Sequence, residues 1–124
     1  MRTVLTAAAV LVAMGAAPAL AHHSGAMFDS AAQKTITGTV QDFKWTNPHA
    51  SFAVMVAQPS GPPTLWQIEM NSPNNLIPAG WKRSTLKIGD RISAVIHPLR
   101  DGRPGGSYVA VVLADGTRLG EEAR

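Results

Sequence analysis

The chain has 124 residues, 45% of them hydrophobic, and a formal net charge of +3 at neutral pH. It contains no Cys, which excludes disulfides, thiolate metal sites and thiol nucleophiles. Its 11 Lys and Arg are scattered rather than gathered on one element, so the footprint of a nucleic-acid binder is missing and no nucleic-acid partner is expected.

The first stretch, "MRTVLTAAAVLVAMGAAPALA", has the order of a secretory signal peptide. Arg2 supplies the basic start, an apolar run follows from Val4, and Ala19-Leu20-Ala21 forms a small-residue cleavage pattern. The run is shorter than the roughly 20 residues of a membrane span. The expectation is a signal peptide over 1–21, cleavage between Ala21 and His22, and a periplasmic or secreted protein without a membrane span after processing.

Residues 22–34, "HHSGAMFDSAAQK", show neither helical nor strand periodicity and read as an N-terminal arm. From Thr35 the pattern is that of a strand, with Ile36, Gly38 and Val40 on one face. Phe43 and Trp45 continue the alternation one residue out of step, which predicts a bulge or bend near Gln41-Asp42. Gly38 in mid-strand predicts a close backbone approach or strong coiling. "TNPHA" is a turn, since Pro48 restricts Asn47. "ASFAVMVAQ" is a second strand, "PSGPP" a loop, and "TLWQIEM" a third strand with Trp66, Ile68 and Met70 facing one way. These three strands form an antiparallel meander.

"NSPNNLIPAGW" is the one helix candidate. Ser72 can cap it, Pro73 suits its first position, Pro78 keeps it short and Gly80 can end it. "RISAVIHPL" is a fourth strand with Ile92, Ala94 and Ile96 inward, and "RDGRPGG" a long turn. "SYVAVVLADGTRL" is a fifth strand with a terminal Asp115-Gly116 turn and a short extension through Leu119. Residues 120–124 read as a disordered tail. The fold class is therefore all-β: a five-stranded OB-like barrel over residues 35–119, with one short helix between strands three and four. An open two-sheet sandwich is the competing architecture.

Several segments resemble a family of small exported bacterial proteins catalogued as a domain of unknown function. They are "HHSGAMFD", "GTVQDFKWTNPH", "WQIEMNSP", "GW", "IGDRI" and the late "RDG". The most specific are the HHS opening and the W-T-N-P-H segment. The resemblance implies an exported β domain and assigns no activity.

The chemistry rests first on four His. If cleavage follows Ala21, His22 carries a free α-amine beside its ring. His23 offers a further chelate through the amine, the intervening amide nitrogen and its own ring. Such tetragonal nitrogen ligation favours Cu(II). An N-terminal histidine of this sort resembles the copper site of histidine-brace oxygenases and of some periplasmic copper carriers; the likeness rests on that one residue. His49, in the turn between two strands, is the candidate that closes a site of His22, His23 and His49, with copper as the candidate cofactor. The alternative is a frayed tail with incidental His, and His97 reads as a solvent-facing strand residue. Met27, on the arm, is a candidate soft ligand, whereas Met55 and Met70 suit core gaps.

Trp45, Asn47, Trp66 and Glu69 form a candidate binding surface, although large aromatics in a small barrel more often anchor the core. Glu69 has no second carboxylate nearby, so paired acid–base hydrolysis lacks its partner. Ser24, Ser72 and Ser107 lack a Gly-x-Ser-x-Gly elbow, and "DGRPGG" lacks the spacing and Lys of a phosphate loop. Binding is expected rather than catalysis. A copper-binding module is the first reading, a metal-independent ligand or protein-interaction module the alternative, and a copper-dependent oxidase the third.

Overall fold

The computed structural model describes residues 25–121. The expected signal peptide, His22 and His23 lie outside the described residues, as do the last three residues of the expected tail.

Six strands and one short helix follow in chain order. They are β1 (Lys34–Lys44), β2 (Ser51–Val56), β3 (Thr64–Glu69), α1 (Pro73–Leu76), β4 (Arg91–Pro98), β5 (Gly105–Val112) and β6 (Arg118–Gly120). β1 is the spine. Its first half pairs with β4 (Ile36 opposite Ala94) and its second half with β2 (Val40 opposite Val54). β2 pairs with β3, and β4 with β5, all antiparallel. A parallel pairing of β3 with β5, from Gln67 opposite Gly105 to Glu69 opposite Ser107, closes a five-stranded barrel. The expected OB-like order is present, and closure decides against the open sandwich.

Two features of β1 explain how so small a barrel closes. The register of β1 on β2 shifts between Val40 and Asp42, the bulge that the slipped alternation predicts. Gly38 lies where β1 passes hard over β2: a Cβ built there would stand 2.1 Å from the Met55 carbonyl oxygen. No other residue fits that approach.

The core holds the expected faces. Ile36, Val40, Phe52, Val54, Ile92 and Ile96 are all buried. Leu76, Trp81 and Leu86, from α1 and the loop after it, complete the same cluster. Trp81 is fully enclosed and donates Nε1–H to the Tyr108 hydroxyl at 2.9 Å. Met70 fills the core as expected, and Met55 is half-buried.

The short helix departs from the reading in one detail. Pro73 opens it, a 3-10 turn over Ile77–Ala79 extends it, and Gly80, at φ 94°, ends it. Ser72 makes no side-chain cap. The neighbouring Asn71 Oδ1 accepts from Ser72 N at 2.7 Å and from Asn75 Nδ2 at 2.8 Å, and the Ser72 carbonyl accepts from Asn75 N and Leu76 N.

The C-terminal region differs more. β5 begins at Gly105, two residues before Ser107, because Gly105 and Gly106 make the parallel contact with β3. At Gly106 a Cβ would stand 2.4 Å from the His97 carbonyl oxygen, so the sequence reads as a turn where tertiary contact makes a strand. The extension through Leu119 is a sixth strand, turned back by Asp115-Gly116. The expected tail starts inside the sheet: Gly120 closes β6 and Glu121 N donates to Val109 O at 3.1 Å.

Candidate functional site

The β1–β2 turn, Trp45 to Ala50, is fixed from its far end. Ala50 is fully buried and exchanges main-chain bonds with the chain after β3: Ala50 N to Asn71 O at 3.0 Å, and Met70 N to Ala50 O at 2.9 Å. His49 is thereby held beside Met70. Its Nδ1 lies 2.8 Å from the Met70 carbonyl oxygen. A carbonyl only accepts, so Nδ1 carries a proton, and in the neutral ring Nε2 holds the lone pair. The same Nδ1 stands 3.8 Å from Glu69 Oε1. The Asn47–Pro48 peptide is cis.

The arm is not free of the barrel. Phe28 bridges to Leu99, Asp29 N donates to Pro98 O at 2.8 Å, and Arg100 N donates to Met27 O at 2.9 Å. Arg100 Nε also reaches Ala26 O, at 3.1 Å. His97, half-buried rather than solvent-facing, places Nδ1 2.7 Å from Ala32 O and so ties the arm to the end of β4. In the β4–β5 loop, Arg103 donates from Nε to Asp101 Oδ2 at 2.7 Å. Bonds from the Arg103 main-chain N–H and then its guanidinium hold the Asp101 carboxyl below the ordinary carboxylate range.

Two grooves result. The first, of about 470 Å³, runs between the β1–β2 turn, the end of β3 and the β4–β5 loop. Asn47, His49, Gln67 and Glu69 give it polar groups; Phe28 and Leu99 give it apolar ones. The second, of about 840 Å³, shares His49 and Glu69 and is also lined by Gly25, His97, Tyr108 and Glu121. Burial pushes the Tyr108 hydroxyl above its ordinary value, with the Trp81 N–H opposing.

Of the predicted site residues, Asn47, His49 and Glu69 come together. Trp45 and Trp66 do not line either groove. Trp45 packs edge-on against Phe43 at 5.8 Å, at the margin of the core. Trp66 lies under the Lys34 ammonium, 5.3 Å from the ring centroid, and its buried Nε1 has no partner among the described residues. Met27 lines the first groove. Phe28 and Arg103 line it too, and sequence reasoning missed both, since an aperiodic arm and a Gly-rich turn give no sign of which residues will face inward. Among the described residues, no group of three or more His, Asp or Glu could hold a metal ion. None of their helices is long and apolar enough to cross a membrane.

No curated protein matches the sequence. Among solved structures, the chain is similar to Rim1, a mitochondrial single-stranded DNA binding protein from S. cerevisiae. The two are 10% identical with a TM-score of 0.51, over 67% of this chain and 93% of that one. At that identity the likeness concerns the fold alone. The model of a family of unknown function, DUF6152, matches residues 9–108, and the chain therefore belongs to that family.

Proposed function

We propose that this chain is an exported, periplasmic binding protein that takes up copper through His22, His23 and His49. One observation carries the reading: Gly25, at the start of the described arm, lines the same groove as His49. The three residues before it, His22 to Ser24, span roughly 10 Å when extended, enough to reach across such a groove. The His49 ring supports the reading further. A main-chain carbonyl holds its Nδ1–H, the outer contact that orients metal-binding imidazoles, and leaves Nε2 as the ligating nitrogen. The described residues do not complete a site, so the free amine and ring of His22 and the ring of His23 are its necessary part. Amine, imidazole and amide nitrogens favour Cu(II) by geometry and by the stability order.

The test has two steps. N-terminal sequencing of the exported protein should begin at His22. Calorimetric titration and EPR with Cu(II) then compare the mature chain, the mature chain acetylated at the His22 α-amine, and His49→Ala. The mature chain should bind one Cu(II). Acetylation turns the His22 amine into an amide without supplying a new amine and should weaken binding about a hundredfold; His49→Ala should weaken it about tenfold, the lower end for loss of metal-site contacts. Equal affinity in all three overturns the reading.

A further inference from the structure

We propose that the first groove binds a small organic cation, a primary ammonium group carried on an aromatic or branched aliphatic body. The groove's volume, about 470 Å³, lies within the roughly 300–1,000 Å³ of small-molecule sites. Met27, Phe28, Pro48 and Leu99 supply apolar lining from three separate segments. Against this lining stands one carboxylate, Glu69, whose side chain is only 26% exposed.

The charge of Glu69 is unspent. Its one ion-pair neighbour among the described residues is His49 Nδ1, at 3.8 Å, and that nitrogen already directs its proton to Met70 O at 2.8 Å. Arg103 also lines the groove, but its guanidinium donates to Asp101 at 2.7 Å. A partly desolvated carboxylate without a cation is unfavourable in the free protein, and a cationic ligand removes that cost. An anionic ligand would meet repulsion in the same place.

The acceptors also match the donor count. An ammonium group has three N–H donors. Glu69, Asn47 and Gln67 line the groove, and the side-chain amides of Asn47 and Gln67 hydrogen-bond to no described residue. A carboxylate and two amide oxygens therefore offer three acceptors, with the apolar lining left for the body of the ligand. This site depends on the carboxylate and not on the N-terminal amine, so it stands apart from the copper reading.

The experiment is calorimetric titration in buffer with a chelator, which keeps metal from binding the amine. The probes are 2-phenylethylammonium, 3-methylbutylammonium, 2-phenylethanol and phenylacetate. The protein should bind at least one of the two ammonium probes, and 2-phenylethylammonium at least tenfold more tightly than the alcohol or the carboxylate. Glu69→Gln, nearly isosteric, should lose tenfold or more of that affinity. Gln67→Glu, a change at an exposed strand position, should tighten it, which keeps the test decisive if Glu69→Gln folds poorly. The form acetylated at the His22 α-amine should keep its affinity for the ammonium probe whatever acetylation does to copper. Equal binding of the alcohol or the carboxylate, failure of both ammonium probes to bind, or unchanged affinity in both Glu69→Gln and Gln67→Glu would overturn the proposal.

Discussion

The core under the short helix and the groove beside the β1–β2 turn are built from the same strands and treat polar groups in opposite ways. Under the helix, Trp81 is enclosed and its single polar atom donates to Tyr108. No buried polar or charged residue interrupts that cluster. In the groove, a half-buried carboxylate has no close cation, two amides bond to no described residue, and an imidazole is oriented with its second nitrogen left over. Buried polar groups are as a rule satisfied internally, and on the core margin Trp66 Nε1 is the exception among the described residues. The groove leaves them for something else, and the difference marks where binding is to be sought.

The largest expected effect tests the closed side. Gly38→Ala sets a methyl group against the Met55 carbonyl and should cost more than about 3 kcal/mol, above the usual range for overpacking, because main chain must move. A denaturation midpoint within a few degrees of the parent would show that β1 does not cross β2 as described. Next comes Val54→Ala, which empties a fully buried position and should cost roughly 1–3 kcal/mol in urea unfolding.

A smaller effect lies at the border of the two regions. Tyr108→Phe leaves the enclosed Trp81 N–H without its acceptor and should cost about 1–2 kcal/mol. The same hydroxyl sets a pH dependence. Burial raises its folded pKa above the unfolded value near 10. Its contribution is therefore complete below pH 10 and is lost as pH rises through the higher folded value, since the unfolded chain gives up the proton first. Thermal melts from pH 8 to 11 should fall at the alkaline end, and less steeply in Tyr108→Phe.

The smallest effect sharpens the contrast. Asn47→Ala and Gln67→Ala remove exposed amides that bond to no described residue, so unfolding free energy should change by less than about 0.5 kcal/mol. A loss above about 1 kcal/mol in either would mean that the groove's polar groups serve the fold.

How much of this was legible beforehand follows from the range of each interaction. Strand alternation is local, and it located the first four strands, the inward faces and the β1 bulge. The two glycines of "PGG" misled because a turn and a close parallel approach ask for the same residue, and only the partner strand tells them apart. Ser72 holds the N-cap position as expected, but its hydroxyl makes no cap bond, since residue type alone does not say where a side-chain oxygen points.

The groove was half legible. His49, Asn47 and Glu69 stood out as polar residues at strand ends, and they do meet. Phe28, Leu99 and Arg103 did not stand out, because nothing within the arm or the β4–β5 loop says that the two will bridge. The aromatic pair expected at a binding surface, Trp45 and Trp66, went to the core margin and to Lys34 instead.

By itself, the sequence determined the class of fold, the core faces, the place of the helix and the chemistry a thiol-free chain has left. These depend on periodicity, proline and glycine, and composition, which act over a few residues. Tertiary structure alone decided that the barrel closes through β3 and β5, that a sixth strand borders it, and that the arm, one turn and one loop share a groove. Those contacts join residues tens of positions apart, and their free energy exists only once the strands between them have packed.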